Sequence, residues 1–173
     1  MTSKTAVTGP CRSAVLVLIA AMALSAAACG SSKPPATAGS SFVSAANAIC
    51  AKAVAKHDGH PFPVPDFNPL HPRAQDLPAV GRYLARYGDA SATAARLDAL
   101  SAPAGHHADW EKLRALIDQA VANAQRQIAA AEKPDVTGFE QTVTIARTLG
   151  NQINQIGPEL GFTSSSACSK VFG

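Results

Sequence analysis

Four stretches of the chain repeat apolar residues at intervals of three and four, the spacing that lines one face of an α-helix. In residues 41–57 the stripe is Phe42, Val43, Ala46, Ile49, Cys50, Ala53 and Val54, with Ser40 or Ser41 placed to cap it. From Leu77 to Leu100 it is Leu77, Val80, Leu84, Tyr87, Ala94, Leu97 and Leu100, weakened by a Gly88-Asp89 pair that predicts a kink. From His107 to Lys133 it is Trp110, Leu113, Ile117, Ala120, Val121, Ala124 and Ile128, stopped by Pro134. The last begins near Thr137, where Thr137 and Glu140 fit a capping box, and carries Phe139, Val143, Ala146, Leu149, Ile153 and Ile156. Gly157-Pro158 breaks it, and Gly161 is placed as a C-cap.

Short turns join the second stretch to the third and the third to the fourth, which makes those neighbours antiparallel. The expected architecture is therefore all-α, an up-down-up-down four-helix bundle over residues 42–173. The connection at residues 57–76 is different. It holds Pro61, Pro63, Pro65, Pro69 and Pro72, which exclude a helix or a central strand, and it is long for a link between helices.

Residues 1–28 do not belong to that core. Lys4 and Arg12 precede a 16-residue apolar run, Ser13 to Ala28, that ends in three alanines before Cys29. As a helix the run is roughly 24 Å long, short of the ~30 Å hydrocarbon core of a bilayer. A positive start, a short apolar core and a small-residue exit read as an export signal. Without Lys4 and Arg12 the chain has 13 basic and 12 acidic residues. That balance, with aromatics at 5%, argues against a nucleic-acid partner. The abundance of alanine favours closely packed helices over sheets.

Cys11 lies in the signal. An exported chain with cysteines to spare tends to pair them, so Cys50 and Cys168 are expected to form a disulfide if Cys29 is otherwise used. Two buried thiols or two metal ligands are the alternatives, although two cysteines are an incomplete zinc set.

Ala26-Ala27-Ala28-Cys29 resembles the cleavage box of bacterial lipoproteins, with Ala26 where that class more often has leucine. The resemblance implies that the sulfur of Cys29 carries a diacylglyceryl group and that the protein sits on the outer face of the cell membrane. Gly30 to Ser41, rich in Gly, Ser and Pro, then reads as a flexible tether, so that residues 29–41 are anchor and linker. Paired acyl chains give stable anchoring where one does not. Further along, ANAIC (Ala46 to Cys50), SAPAGHHADWEKL before the third helix, and LGFTSSSAC (Leu160 to Cys168) resemble a class of small actinobacterial lipoproteins. That resemblance implies an all-helical domain with a cysteine pair joining its two ends, and no particular activity.

Candidate chemistry is sparse. His57, Asp58, His60, Asp66 and His71 lie close in sequence, and imidazole with carboxylate suits Zn²⁺ or Cu²⁺. His57, His60 and His71 are therefore candidate metal ligands. The His-Glu-x-x-His and Glu-x-x-His patterns are absent, as is a Gly-x-Ser-x-Gly nucleophile elbow. No catalytic residue is assigned and no resident cofactor is expected. The sequence reads as a lipid-anchored extracytoplasmic helical module that binds an envelope protein partner without catalysis. The alternative is a carrier or sensor of a small apolar ligand, held in the bundle lumen, or of a metal ion held by the histidine-bearing loop.

Overall fold

The structure, a computed structural model, describes residues 39–88, 90–163 and 166–172. The expected signal, the lipidation site Cys29 and most of the tether lie outside these residues. Among the described residues the elements are α1 (Gly39–Asp58), α2 (Leu77–Tyr87), α3 (Ala90–Asp98), α4 (His107–Glu132), α5 (Val136–Ile156), a single 3-10 turn (Gly157–Leu160) and α6 (Ala167–Phe172). Residues 39–41, read as the end of the tether, are the first turn of α1.

The all-α class with one disulfide is present, but the up-down-up-down four-helix bundle is not. The stretch expected as one kinked helix over residues 77–100 is two helices, α2 and α3. Gly88 leaves helical geometry at ψ 88°, and its amide closes on the Leu84 carbonyl. A Cβ built on Gly88 would lie 2.5 Å from that carbonyl oxygen, so the break is open to glycine and closed to other residues without a backbone shift. The C-terminal stretch also adds α6. Among the described residues the most extensive pairing is that of α4 with α5, which the short turn between them makes antiparallel. α1 packs chiefly on α6 and α3, while α2 crosses α4. That crossing is close because Gly81 has no side chain there; a Cβ would sit 3.1 Å from the Ala131 Cβ.

Apolar residues gather into two separate clusters. The first joins Phe42, Ala46 and Cys50 of α1 to Leu97 of α3, Trp110, Leu113 and Ile117 of α4, Ile153 of α5, and Phe162 and Phe172. Phe42 meets Trp110 edge-on at 5.0 Å between centroids, a favourable aromatic geometry. The second joins Val64 of the proline-rich loop to Leu77 and Val80 of α2, Ala131 of α4, and Phe139 and Val143 of α5. Between them the α4–α5 seam is polar. The buried Asn123 amide donates to the Thr142 carbonyl at 2.8 Å, and the Thr142 hydroxyl donates to the Phe139 carbonyl at 2.6 Å.

Cys50 and Cys168 are disulfide-bonded, with Cα atoms 4.9 Å apart, and fix α6 to α1. On the surface, Arg114 of α4 donates to Asp98 of α3 at 2.8 Å and to Glu111 at 3.1 Å. The hydrogen bond and charge of Asp98, followed by those of Glu111, raise the guanidinium pKa further above its ordinary value.

The cap of α5 is Asp135 rather than the Thr137–Glu140 box. Its carboxylate accepts from the Gly138 amide at 2.9 Å, one of the donors a helix start leaves unpaired. Asp135→Ala is expected to cost about 1 kcal/mol in urea denaturation.

Candidate binding cleft

The loop at residues 57–76 folds back on the molecule. Its apolar residues make that possible: Val64 is buried, while Phe67 and Leu70 are partly buried against the second core. The prolines between them restrict the chain and remove amide donors that would otherwise need partners.

Tyr83 of α2 fastens the start of the loop. It is 6% exposed, and its hydroxyl is shared between the carbonyls of His57 at 3.2 Å and His60 at 3.1 Å. Aromatic rings surround it. The His57 ring stands edge-on at 5.4 Å, the Phe62 ring at 5.1 Å, and the Tyr87 ring lies tilted at 5.1 Å. The His60 ring stacks on Tyr87 at 3.9 Å. Tyr83→Phe is expected to lose about 1 kcal/mol in urea denaturation, since the part-buried hydroxyl no longer ties α2 to the His57 and His60 carbonyls of the loop. Tyr87→Phe, whose hydroxyl bonds to nothing among the described residues, serves as the control at under about 0.5 kcal/mol.

Beyond Tyr83 the loop forms one wall of a cleft of about 610 Å³. Phe62, Val64, Pro65, Asp66, Phe67 and Pro69 come from the loop, Val80 and Leu84 from α2, Gln127 from α4 and Phe139 from α5. Phe139, 1% exposed, forms part of the floor and meets the Phe67 ring edge-on at 5.9 Å. Phe62 remains 40% exposed, and with Ile145 it is one of two large apolar side chains that stand out in solvent among the described residues. Pro65, Asp66 and Pro69 on the rim are exposed. The volume lies within the ordinary range for ligand sites, about 300–1,000 Å³.

Two smaller clefts, of about 340 Å³ beside Ala53 and Tyr87 and about 330 Å³ beside Asn123 and Val143, also lie among the described residues, but the first core itself is tightly filled. The gap among Leu97, Trp110, Ile117, Ile153 and Phe172 is about 20 Å³. That is little more than the room one water molecule needs.

The candidate metal ligands are not gathered. Among the described residues no group of three or more His, Cys, Asp or Glu side chains could hold a metal ion. His57 lies 3.4 Å from the Asp58 carboxylate, His60 is stacked on Tyr87, and His71 is exposed on a turn where its amide donates to the Asn68 carbonyl. The loop that carries them is organised by its apolar side chains instead. Phe62, Val64, Phe67 and Leu70 were the signal in the sequence for this arrangement.

The chain matches no protein-family model, and neither the curated proteins nor the solved structures hold a significant match to it. Among the described residues no helix is long and apolar enough to cross a membrane.

Proposed function

We propose that the protein is a lipid-anchored extracytoplasmic module that binds an envelope protein partner through the cleft beside the proline-rich loop, without catalysis. The observation that carries the binding reading is the cleft itself: an open, apolar site of about 610 Å³ with aromatic side chains in wall and floor. Apolar anchors entering desolvated pockets supply most of the energy of protein interfaces, and aromatic residues are enriched there. An open site suits the side chains of a partner better than a free small molecule, which ordinarily buries most of its surface. A carrier that holds an apolar cargo in its interior would need more than the 20 Å³ found among the core side chains.

The anchor rests on the lipoprotein-like sequence around Cys29 and on the resemblance to a class of small actinobacterial lipoproteins. Mass measurement of the protein extracted from its own membrane tests it. The expected result is a chain beginning at Cys29 with added acyl mass; an unacylated chain in the medium would overturn it.

The docking reading is tested by placing a photo-reactive benzoylphenylalanine at position 62 of the full chain in its native membrane. Position 96, exposed on α3 against the first core, is the comparison. Adducts to a discrete protein from position 62 and not from position 96 are expected. Equal labelling from both would remove the cleft from the proposal.

A further inference from the structure

We infer that the segment docked in the cleft carries a cationic side chain next to its apolar anchor, and that Asp66 receives it. This rests on the docking reading above and specifies the chemistry of the partner.

The cleft has one sign of charge. Among the described residues Asp66 is the only charged one in its lining, and no Lys, Arg or His lines it. Asp76 is paired with Arg73 at 2.6 Å, Asp98 with Arg114 at 2.8 Å and Asp109 with Lys112 at 3.6 Å, while Asp118, which has no ion pair among the described residues, is on α4 and does not line the cleft. Asp66 has no ion-pair partner among the described residues.

The aromatic walls point the same way. The Phe62 and Phe67 rings lie 5.4 Å apart and tilted by 40°. The face of an aromatic ring is negative, and it attracts an ammonium or guanidinium group within about 6 Å. An acidic partner would meet the carboxylate and the ring faces with the wrong sign. A neutral one would leave the carboxylate without a partner at the edge of an apolar surface.

The backbone of Asp66 limits which residue can replace it. Its φ is 55°, in the left-handed region that most residues avoid. Aspartate and asparagine tolerate it better than others. Asp66→Asn therefore removes the charge while keeping a residue suited to the same conformation.

The test uses the full chain, labelled with ¹⁵N, and three synthetic peptides: acetyl-Gly-Pro-Leu-Lys-Pro-Gly-amide and its forms with norleucine or glutamate in place of lysine. Amide shifts of Phe62, Val64, Asp66, Phe67 and Leu70 report the cleft. The lysine peptide is expected to bind about threefold to fivefold more tightly than the norleucine peptide, the scale of an exposed ion pair, and the glutamate peptide more weakly than either. The lysine advantage is expected to shrink as salt rises and to vanish in Asp66→Asn. Equal affinities for the lysine and norleucine peptides, with shifts in the cleft, would overturn this inference and leave the docking reading standing. An absence of cleft shifts with all three peptides would overturn both. A lysine preference that survives Asp66→Asn would overturn the role given to Asp66. Cleft shifts on concentrating the chain alone would make a second copy the occupant and overturn it too.

Discussion

Replacing Cys50 and Cys168 together by alanine is expected to lower the unfolding free energy by about 3–5 kcal/mol. The bridge closes a loop with a sequence separation of 118 residues. In the chain-entropy model a loop of that size restricts the unfolded chain by roughly 5 kcal/mol, and measured effects are commonly smaller. There is a local component as well. Cys50 is fully buried among Phe42, Ala46 and Phe172, so the double replacement also removes two sulfurs from the first core. Denaturation in urea with and without reductant checks the value, using the fluorescence of Trp110, the single tryptophan. A loss below about 1 kcal/mol would mean that α6 remains on α1 through packing alone.

Phe139→Ala is expected to cost about 3–5 kcal/mol, the usual range for emptying a buried aromatic site. Phe139 is the largest fully buried side chain of the second core, and it supports Phe67 of the loop. Its removal should therefore do two things: destabilise the packing of α2 and the loop on α4 and α5, and open the floor of the cleft. The two cores meet at the polar seam of Asn123 and Thr142, where the Asn123 side-chain oxygen is buried without a hydrogen-bond partner. Such a seam is a weak place for cooperative transmission. Helical content followed by circular dichroism is expected to begin falling at lower urea than Trp110 fluorescence in this variant. Coincident transitions would show that the two cores unfold as one unit.

Parts of this fold were legible in the sequence, for identifiable reasons. The faces of α1 and of the first half of α4 were, because Phe42, Ala46, Cys50 and Ala53, and Trp110, Leu113 and Ile117, each recur at helical spacing and are buried as that spacing requires. The disulfide was legible because an expected export signal and an expected anchor at Cys29 leave Cys50 and Cys168 as the pair. The division at Gly88 was visible only as a kink, because periodicity carries across a break when the two helices share a core side. The periodicity places Tyr87 in the apolar face, but the tyrosine that is buried is Tyr83, whose hydroxyl finds two loop carbonyls. Asn123 gave no sign at all, since a polar residue on an apolar face is buried only where a neighbouring backbone carbonyl accepts from it. The cleft is hidden in the sequence because the prolines of residues 61–72 signal only a break in helix and strand. The apolar residues alternating with them are what folds the segment onto α2 and α5.

The bridge has one more consequence. Cys50 and Cys168 flank the whole loop, so the chain between them is a covalent ring. The exposed segment around Pro61, Pro63 and Pro65 is a place where a protease could reach the backbone. A single cut there would not divide the molecule. The two pieces would travel together on a non-reducing gel and separate only when the bridge is reduced. A clipped copy would keep its C-terminal two-thirds fastened to α1.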